Sequence, residues 1–201
     1  MTQNYGEPNY WNARYLKDSD AFDWYQSFET LKSFLTTHCK KSDNILMLGC
    51  GNSLLSEEMY KYGFKTITNI DISDVVIEQC KEKYPIEEYP GLTYQVGNGL
   101  NMVDYKDETF DTVIDKGTFD TIMCGNDSGD VIKICEEVFR VLKKKGNYIV
   151  ISYGKPEDRE FYFEQACDWN IETKTIPKPK DYQESADKIN YHYIYIMRKD
   201  Q

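Results

Sequence analysis

Apolar positions in this chain fall into short runs divided by polar turns, and the period of each run predicts an element. Ile45 to Leu48 is an unbroken apolar run of strand length. Gly49-Cys50-Gly51 follows at once, and then LLSEEMYKYG, whose spacing is helical. A helix is expected from about Ser53 to Tyr62, with Gly63 as its C-cap. Thr66 to Ile70 reads as a second strand, and a helix from about Ser73 stops before Pro85. Leu92 to Val96 reads as a third strand that ends in Gly97-Asn98-Gly99. Phe110 to Asp115 reads as a fourth, followed directly by Lys116 to Asp120. Gly125 to Gly129 reads as a loop and Asp130 to Leu142 as a helix. Lys143 to Gly146 reads as a turn, and Asn147 to Ser152 as a fifth strand.

The flanks have a different pattern. Residues 1 to 21 are polar and aromatic and read as an arm with one helical turn, on which Trp11 and Tyr15 share a face. Residues 22 to 37 read as a helix with Trp24, Phe28, Leu31 and Leu35 along one side. Beyond the fifth strand, Arg159 to Cys167 is helical, Trp169 to Ile176 is extended, and Pro177 to Asp187 is a charged loop. Tyr191 to Arg198 alternates strongly as a strand. Two final strands joined by a loop make an antiparallel hairpin, because a parallel crossover needs a helix. The expected fold is therefore α/β: an open, mostly parallel sheet with helices on both faces and a C-terminal antiparallel hairpin. Residues 1 to 43 would form an arm and helix that either pack their aromatics over the core or lid a pocket, and residues 44 to 201 would form the main domain.

Strand, glycine turn and helix in that order bring backbone N–H groups and a helix N-terminus to one point, which suits a nucleotide-like ligand. The third glycine of the dinucleotide fingerprint would fall at Leu54 and is absent. The pattern does not support a pyrophosphate clamp and leaves room for another adenosine-containing cofactor. Asp71 ends the second strand about 20 residues beyond the turn, the spacing of a carboxylate that accepts from ribose hydroxyls. A cap for the helix near Ser73 is its other reading. The strand ends Gly49, Asp71, Gly97 to Gly99 and Asp115 are expected along one crevice. Asp115 also reads as a cap for the turn at residues 117 and 118.

Composition narrows the classes. The formal net charge is -10 across 201 residues, with no basic stripe, so no nucleic-acid partner is expected, and an acidic surface suits a basic one. No apolar run of membrane-spanning length appears, and the reading is a cytoplasmic monomer without a membrane association. The six cysteines form no C-x-x-C pair, and with two histidines they argue against a metal or disulfide framework. Cys50 reads as a small side chain in a tight turn rather than a nucleophile.

On LGCGNS (48–53), NIDIS (69–73) and DKGTFD (115–120), supported by YWNARY (10–15), FDWY (22–25) and HYIYIMRK (192–199), the chain resembles the class I, seven-stranded S-adenosylmethionine-dependent methyltransferases. More narrowly it is similar to the methyltransferase-like proteins that include the lysine methyltransferases of translation elongation factor 1-alpha. The resemblance implies a Rossmann-like methyltransferase fold with S-adenosyl-L-methionine as cofactor and S-adenosyl-L-homocysteine as product. It implies that Gly49 and Gly51 approach the methionine end and that Asp71, with Ile72 beside it, holds the ribose. Asn98 and Gly99 would meet the adenine edge. Relatives carry an acid where Asn98 stands, and an amide carbonyl can still face the adenine amino group. Lys116 would line the pocket, and Trp11, Tyr15 and Trp24 would cover the cofactor.

An N-P-P-Y type sequence is missing after the fourth strand, which argues against an adenine or glutamine acceptor. The expected activity is methyl transfer to a protein lysine, with elongation factor 1-alpha the family's candidate substrate. The alternatives are a small-molecule methyltransferase and an inactive cofactor-binding scaffold. No general base stands out, and the charged 177–187 loop is a candidate contact for a protein substrate.

Overall fold

The apolar run becomes β1 (Asn44–Leu48), whose four residues Ile45, Leu46, Met47 and Leu48 are all buried. The computed structural model describes residue 5 and residues 7–125, 128–179 and 190–200. The other strands are β2 (Thr66–Asp71), β3 (Leu92–Val96), β4 (Phe110–Lys116), β5 (Leu142–Ser152), β6 (Trp169–Pro177) and β7 (Tyr191–Lys199). They form a seven-stranded sheet in the order β3-β2-β1-β4-β5-β7-β6. Parallel pairing runs from β3 through to β5. Only β7 among these strands is reversed, antiparallel to both β5 and β6. This is the expected mostly parallel sheet with its C-terminal hairpin.

Seven helices cover the described part of the sheet. α1 (Pro8–Lys17), α2 (Phe28–His38), α3 (Leu55–Tyr62) and α4 (Asp74–Lys83) close one face, where Ile45 and Met47 pack with Leu31, Leu35, Met59 and Val76. α5 (Thr118–Met123), α6 (Ser128–Val141) and α7 (Pro156–Ala166) close the other, where Leu46 and Leu48 meet Phe119, Ile134 and Phe163. The alternation of β1 thus feeds two cores at once, and each such buried aliphatic side chain contributes about 1.5–3 kcal/mol of burial. From β1 the chain builds β2 and β3 on one side, then crosses to β4 and β5 on the other. That reversal leaves a crevice above the strand ends beside β1.

Several boundaries depart from the expectations. The N-terminal arm holds ten helical residues in α1, with Pro8 in its first turn. The helix expected over 22–37 begins only at Phe28, after an extended Ser27. Trp24 is therefore not on its apolar side, because residues 20–24 are drawn over the glycine turn by bonds described below. α5 was not legible at all. Lys143 to Gly146 is not a turn but part of β5, where Lys145 takes φ +65° and the register against β4 shifts between Phe110 and Thr112. A bulge absorbs the glycine and lets the strand run on. Most of the 177–187 loop lies outside the described residues.

Candidate functional site

One cavity of about 280 Å³ opens above the strand ends. The glycine turn after β1 forms its floor. Gly49 has φ +61°, and a Cβ there would lie 1.9 Å from Thr118 Oγ1, so only glycine fits. A Cβ on Gly51 would come within 2.8 Å of the Tyr15 hydroxyl. Cys50 is buried between them, and burial holds its thiol well above the usual range, which suits a space-filling role and not a nucleophile.

Asp71 stands at the end of β2 with 7% exposure. Its Oδ2 accepts from the Gly51 N–H at 2.9 Å and its Oδ1 from the Ser73 N–H at 2.9 Å. Burial raises its pKa, and these backbone donors pull the other way. Asp71 organises the start of α4, which Ser73 caps through Val76 N, and it also faces the cavity as an acceptor. Ile72, Asn98 and Gly99 complete this wall. Asn98 Oδ1 accepts from the Leu100 N–H at 2.9 Å, which fixes the amide orientation. The amide NH₂ is then the group that no loop bond occupies, so Asn98 offers a ligand a donor more readily than the carbonyl expected from the sequence.

The roof comes from the N-terminal segment. Trp11 and Tyr15 stack at 6.0 Å on α1, and Trp11 Nε1 donates to the Tyr5 carbonyl at 2.7 Å. Tyr15 is buried against Asp71, and burial followed by that carboxylate raises its phenol. Between α1 and α2 the chain crosses the cavity, with Phe22, Trp24 and Tyr25 facing it. Three bonds tie this crossing down. Asn52 Nδ2 donates to the Asp20 carbonyl at 2.5 Å, Ser53 Oγ donates to Asp23, and Lys116 Nζ reaches Asp23 Oδ1 at 3.0 Å. Lys116 also donates to the Trp24 carbonyl at 3.1 Å. Its side chain is 5% exposed, and burial lowers its pKa against the opposing pull of Asp23. Lys116 is therefore a buried pin between β4 and the roof.

All ten residues singled out in the sequence line this cavity: Trp11, Tyr15, Trp24, Gly49, Gly51, Asp71, Ile72, Asn98, Gly99 and Lys116. Asp115 does not. It lies beneath the site, where Oδ1 takes the N–H groups of Thr118 at 2.8 Å and Phe119 at 3.1 Å, and Oδ2 takes the Tyr148 hydroxyl at 3.2 Å. Asp115 is thus the cap of α5, and burial pushes its pKa up to about 7.

Sequence reasoning missed Asp120, Tyr153 and Cys124, which line the cavity beyond Lys116, and placed Tyr25 only as an aromatic near the pocket. Asp120 is 2% exposed and pairs with Arg159, whose Nε and Nη2 lie 3.1 and 3.0 Å from Oδ1. Asp120 belongs to the quoted DKGTFD stretch, but only the α5 turn brings it to the cavity. Among the described residues no group of histidine, cysteine or acidic side chains could hold a metal, and no helix is long and apolar enough to cross a membrane.

The site fits a nucleoside: a glycine cradle that a Cβ would fill, a carboxylate for paired hydroxyls and flat aromatic cover. Comparison with known proteins agrees. A family model described as a methyltransferase domain matches residues 39–195. The eEF1A lysine and N-terminal methyltransferase of Xenopus laevis is 35% identical over 158 residues, which cover 77% of this chain and 22% of that protein. The chain thus spans under a quarter of the length of the first relatives it matches. EEF1A lysine methyltransferase 4 of Mus musculus is 30% identical over 207 aligned positions, 97% of this chain and 76% of that protein. Among solved structures, a SAM-dependent methyltransferase from Methanosarcina mazei superposes with TM-score 0.64 at 17% identity, covering 89% of this chain and 99% of that one. The cyclase SpnF superposes with TM-score 0.70 at 13% identity, covering 98% and 95%. These two likenesses establish the fold alone, and the second shows that the fold carries other chemistry as well.

Proposed function

The chain belongs to the methyltransferase-domain family, as a class I methyltransferase-like domain homologous to the eEF1A lysine methyltransferases, and we propose that it moves the methyl group of S-adenosylmethionine to a lysine amine of a protein, with eEF1A as the first candidate. The observation that carries the reading is the joining, in one cavity, of the Gly49–Gly51 turn, the Asp71 carboxylate and the Asn98–Gly99 loop under Trp11, Tyr15 and Trp24. In this reading Asp71 accepts from the ribose hydroxyls, Asn98 and the Gly99 backbone meet the adenine edge, and Gly49 and Gly51 let the methionine end approach the backbone. Ile72 packs beside the ribose, and Lys116 keeps the roof shut by holding Asp23. The relatives' printed activities support a lysine acceptor, and the net charge of -10 suits a basic protein.

When bound, the cofactor supplies an electrophilic methyl carbon on a sulfonium, so the protein's tasks are alignment and exclusion of water. An acceptor amine must arrive neutral, although lysine ordinarily titrates near about 10.4. The aromatic roof disfavours the charged form by desolvation. The amine lone pair then forms the new carbon–nitrogen bond as the carbon–sulfur bond breaks, and the product ammonium releases one proton to solvent.

Unmethylated recombinant eEF1A, incubated with the protein and S-adenosylmethionine labelled in its methyl group, is expected to gain label on a lysine side chain, read by mass spectrometry of its peptides. Cofactor binding without transfer to eEF1A would instead direct the search to small-molecule acceptors.

A further inference from the structure

Tyr25 holds a conformation that a non-glycine residue seldom adopts, at φ +64°. Such a residue costs about 1–2 kcal/mol and persists where its surroundings dictate it. Here they do so on both sides. Lys116 Nζ and the Gln26 N–H both donate to the Trp24 carbonyl, at 3.1 and 2.7 Å. The Gln26 side chain, 1% exposed, donates to the Pro177 carbonyl at 2.9 Å and meets His192 Nδ1 at 3.0 Å. With the chain fixed before and after it, Tyr25 turns into the cavity. Its ring lies edge-on to Tyr153 at 6.1 Å and against His192 at 4.9 Å, and a Cβ on Gly117 would come within 3.4 Å of it.

Tyr25 and Asp120 line the same cavity, Tyr25 edge-on to the Tyr153 ring and Asp120 bonded to the Tyr153 backbone, and burial followed by the Asp120 carboxylate raises the Tyr25 phenol. That carboxylate is itself immobile: Oδ1 accepts from Ser152 Oγ at 2.6 Å and from Arg159, and Oδ2 from the Tyr153 N–H at 3.1 Å. A phenol near a fixed carboxylate turns its proton toward the charge and keeps its oxygen lone pairs for another donor. The Arg159 charge balances Asp120, so the pair adds no net negative charge that would hold an incoming amine protonated.

Position in the sheet supplies the direction. Asp71 and Asn98 follow β2 and β3 on one side of β1, whereas Asp120 and Tyr153 follow β4 and β5 on the other. A nucleoside held on the first side, as in the reading above, would have its reactive end at the glycine turn, toward the second. The mouth there is open and aromatic, with Tyr153, Trp24 and Phe22 exposed at 48%, 39% and 38%. An alkyl stem with an amine at its tip fits that entry.

Resting on the amine-methylation reading above, we propose that Tyr25 is a catalytic residue: its hydroxyl oxygen, oriented by Asp120, accepts an N–H of the acceptor amine and turns the nitrogen lone pair toward the methyl carbon. Asp120 and Arg159 are positioning residues that act through it. The nitrogen's surplus proton leaves to water after the carbon–nitrogen bond has formed and the carbon–sulfur bond has broken.

The test compares the intact protein with Tyr25→Phe by calorimetric titration against two ligands. One is S-adenosylhomocysteine. The other is sinefungin, a cofactor analogue with a carbon-bound amine in place of the sulfonium methyl. S-adenosylhomocysteine affinity is expected to stay within about twofold, while sinefungin weakens about tenfold, the loss of one hydrogen bond to a charged donor. Equal sinefungin binding by the two proteins would overturn the proposal. A parallel loss of both ligands would also overturn it, since Tyr25 would then serve only to close the roof. If sinefungin discriminates but no label reaches eEF1A, Tyr25 keeps its amine-binding role and the lysine reading alone fails.

Discussion

The two halves of the cavity wall are built by different means. The floor, from the Gly49–Gly51 turn to Asp71 and the Asn98–Gly99 loop, hangs on parallel strands whose positions follow from burial on both faces. Its polar groups are fixed by neighbours close in the chain: Ser73 holds Asp71, and Leu100 holds Asn98. The roof between α1 and α2 has no such frame. It is held by side chains distant in sequence, with Asp23 joined to Lys116 across 93 positions and Gln26 to His192 across 166. The floor is pre-organised by the fold, while the roof is a set of pins whose removal leaves the sheet intact. Cofactor affinity should therefore depend most on the floor, and retention and alignment should depend on the roof.

The sharpest break comes at Asp71. Asp71→Ala removes the ribose acceptor and strands two backbone donors, at about 1–3 kcal/mol for each group left without a partner. S-adenosylmethionine affinity is expected to fall at least about thirtyfold by calorimetry. A fall under threefold would remove the floor from the account. Next is the pin. Lys116→Met should weaken binding only about three- to tenfold, through faster dissociation, because Asp23 at 19% side-chain exposure can rehydrate as the roof lifts. Combining it with Asp23→Asn should cost little more than either change alone, a coupling that a double-mutant cycle measures. Strict additivity would mean that the two side chains do not act together. The last effect is on stability rather than on binding. Burial lowers the His192 imidazole to about 4, so the folded protein keeps it neutral, while the unfolded chain protonates it near 6.5. The stabilisation is complete above about pH 6.5 and drains as the pH falls toward 4. His192→Gln should remove about 1–3 kcal/mol of that acid-side loss in urea melts at a series of pH values.

The same contrast sets what could be read from the sequence. The floor was legible because strand, glycine turn and terminal acid are local patterns, and Gly49, Gly51 and Asp71 reach the cavity. The course of the roof was not. Periodicity runs Trp24 into the helix that starts at Phe28, since nothing local reveals that Asp23 belongs to Lys116. α5 was hidden for a related reason. Its six residues start from a left-handed Gly117 and are capped by Asp115 from the preceding strand, so no apolar period announces it. Without α5, Asp120 has no predictable direction. The Lys143–Gly146 stretch carries every local mark of a turn, and only pairing with β4 makes it a bulged strand.

The placement of β7 has a consequence for the order in which the molecule assembles. Among the described residues β6 hydrogen-bonds to no strand but β7, and β7 lies between it and β5. A chain emerging from the ribosome thus makes β6 well before the strand that must separate it from the rest. Until β7 arrives, the exposed edge of β5 is a place where β6 could pair wrongly. The joining of β5 and β6 through β7 is thus an insertion and not an addition at the rim.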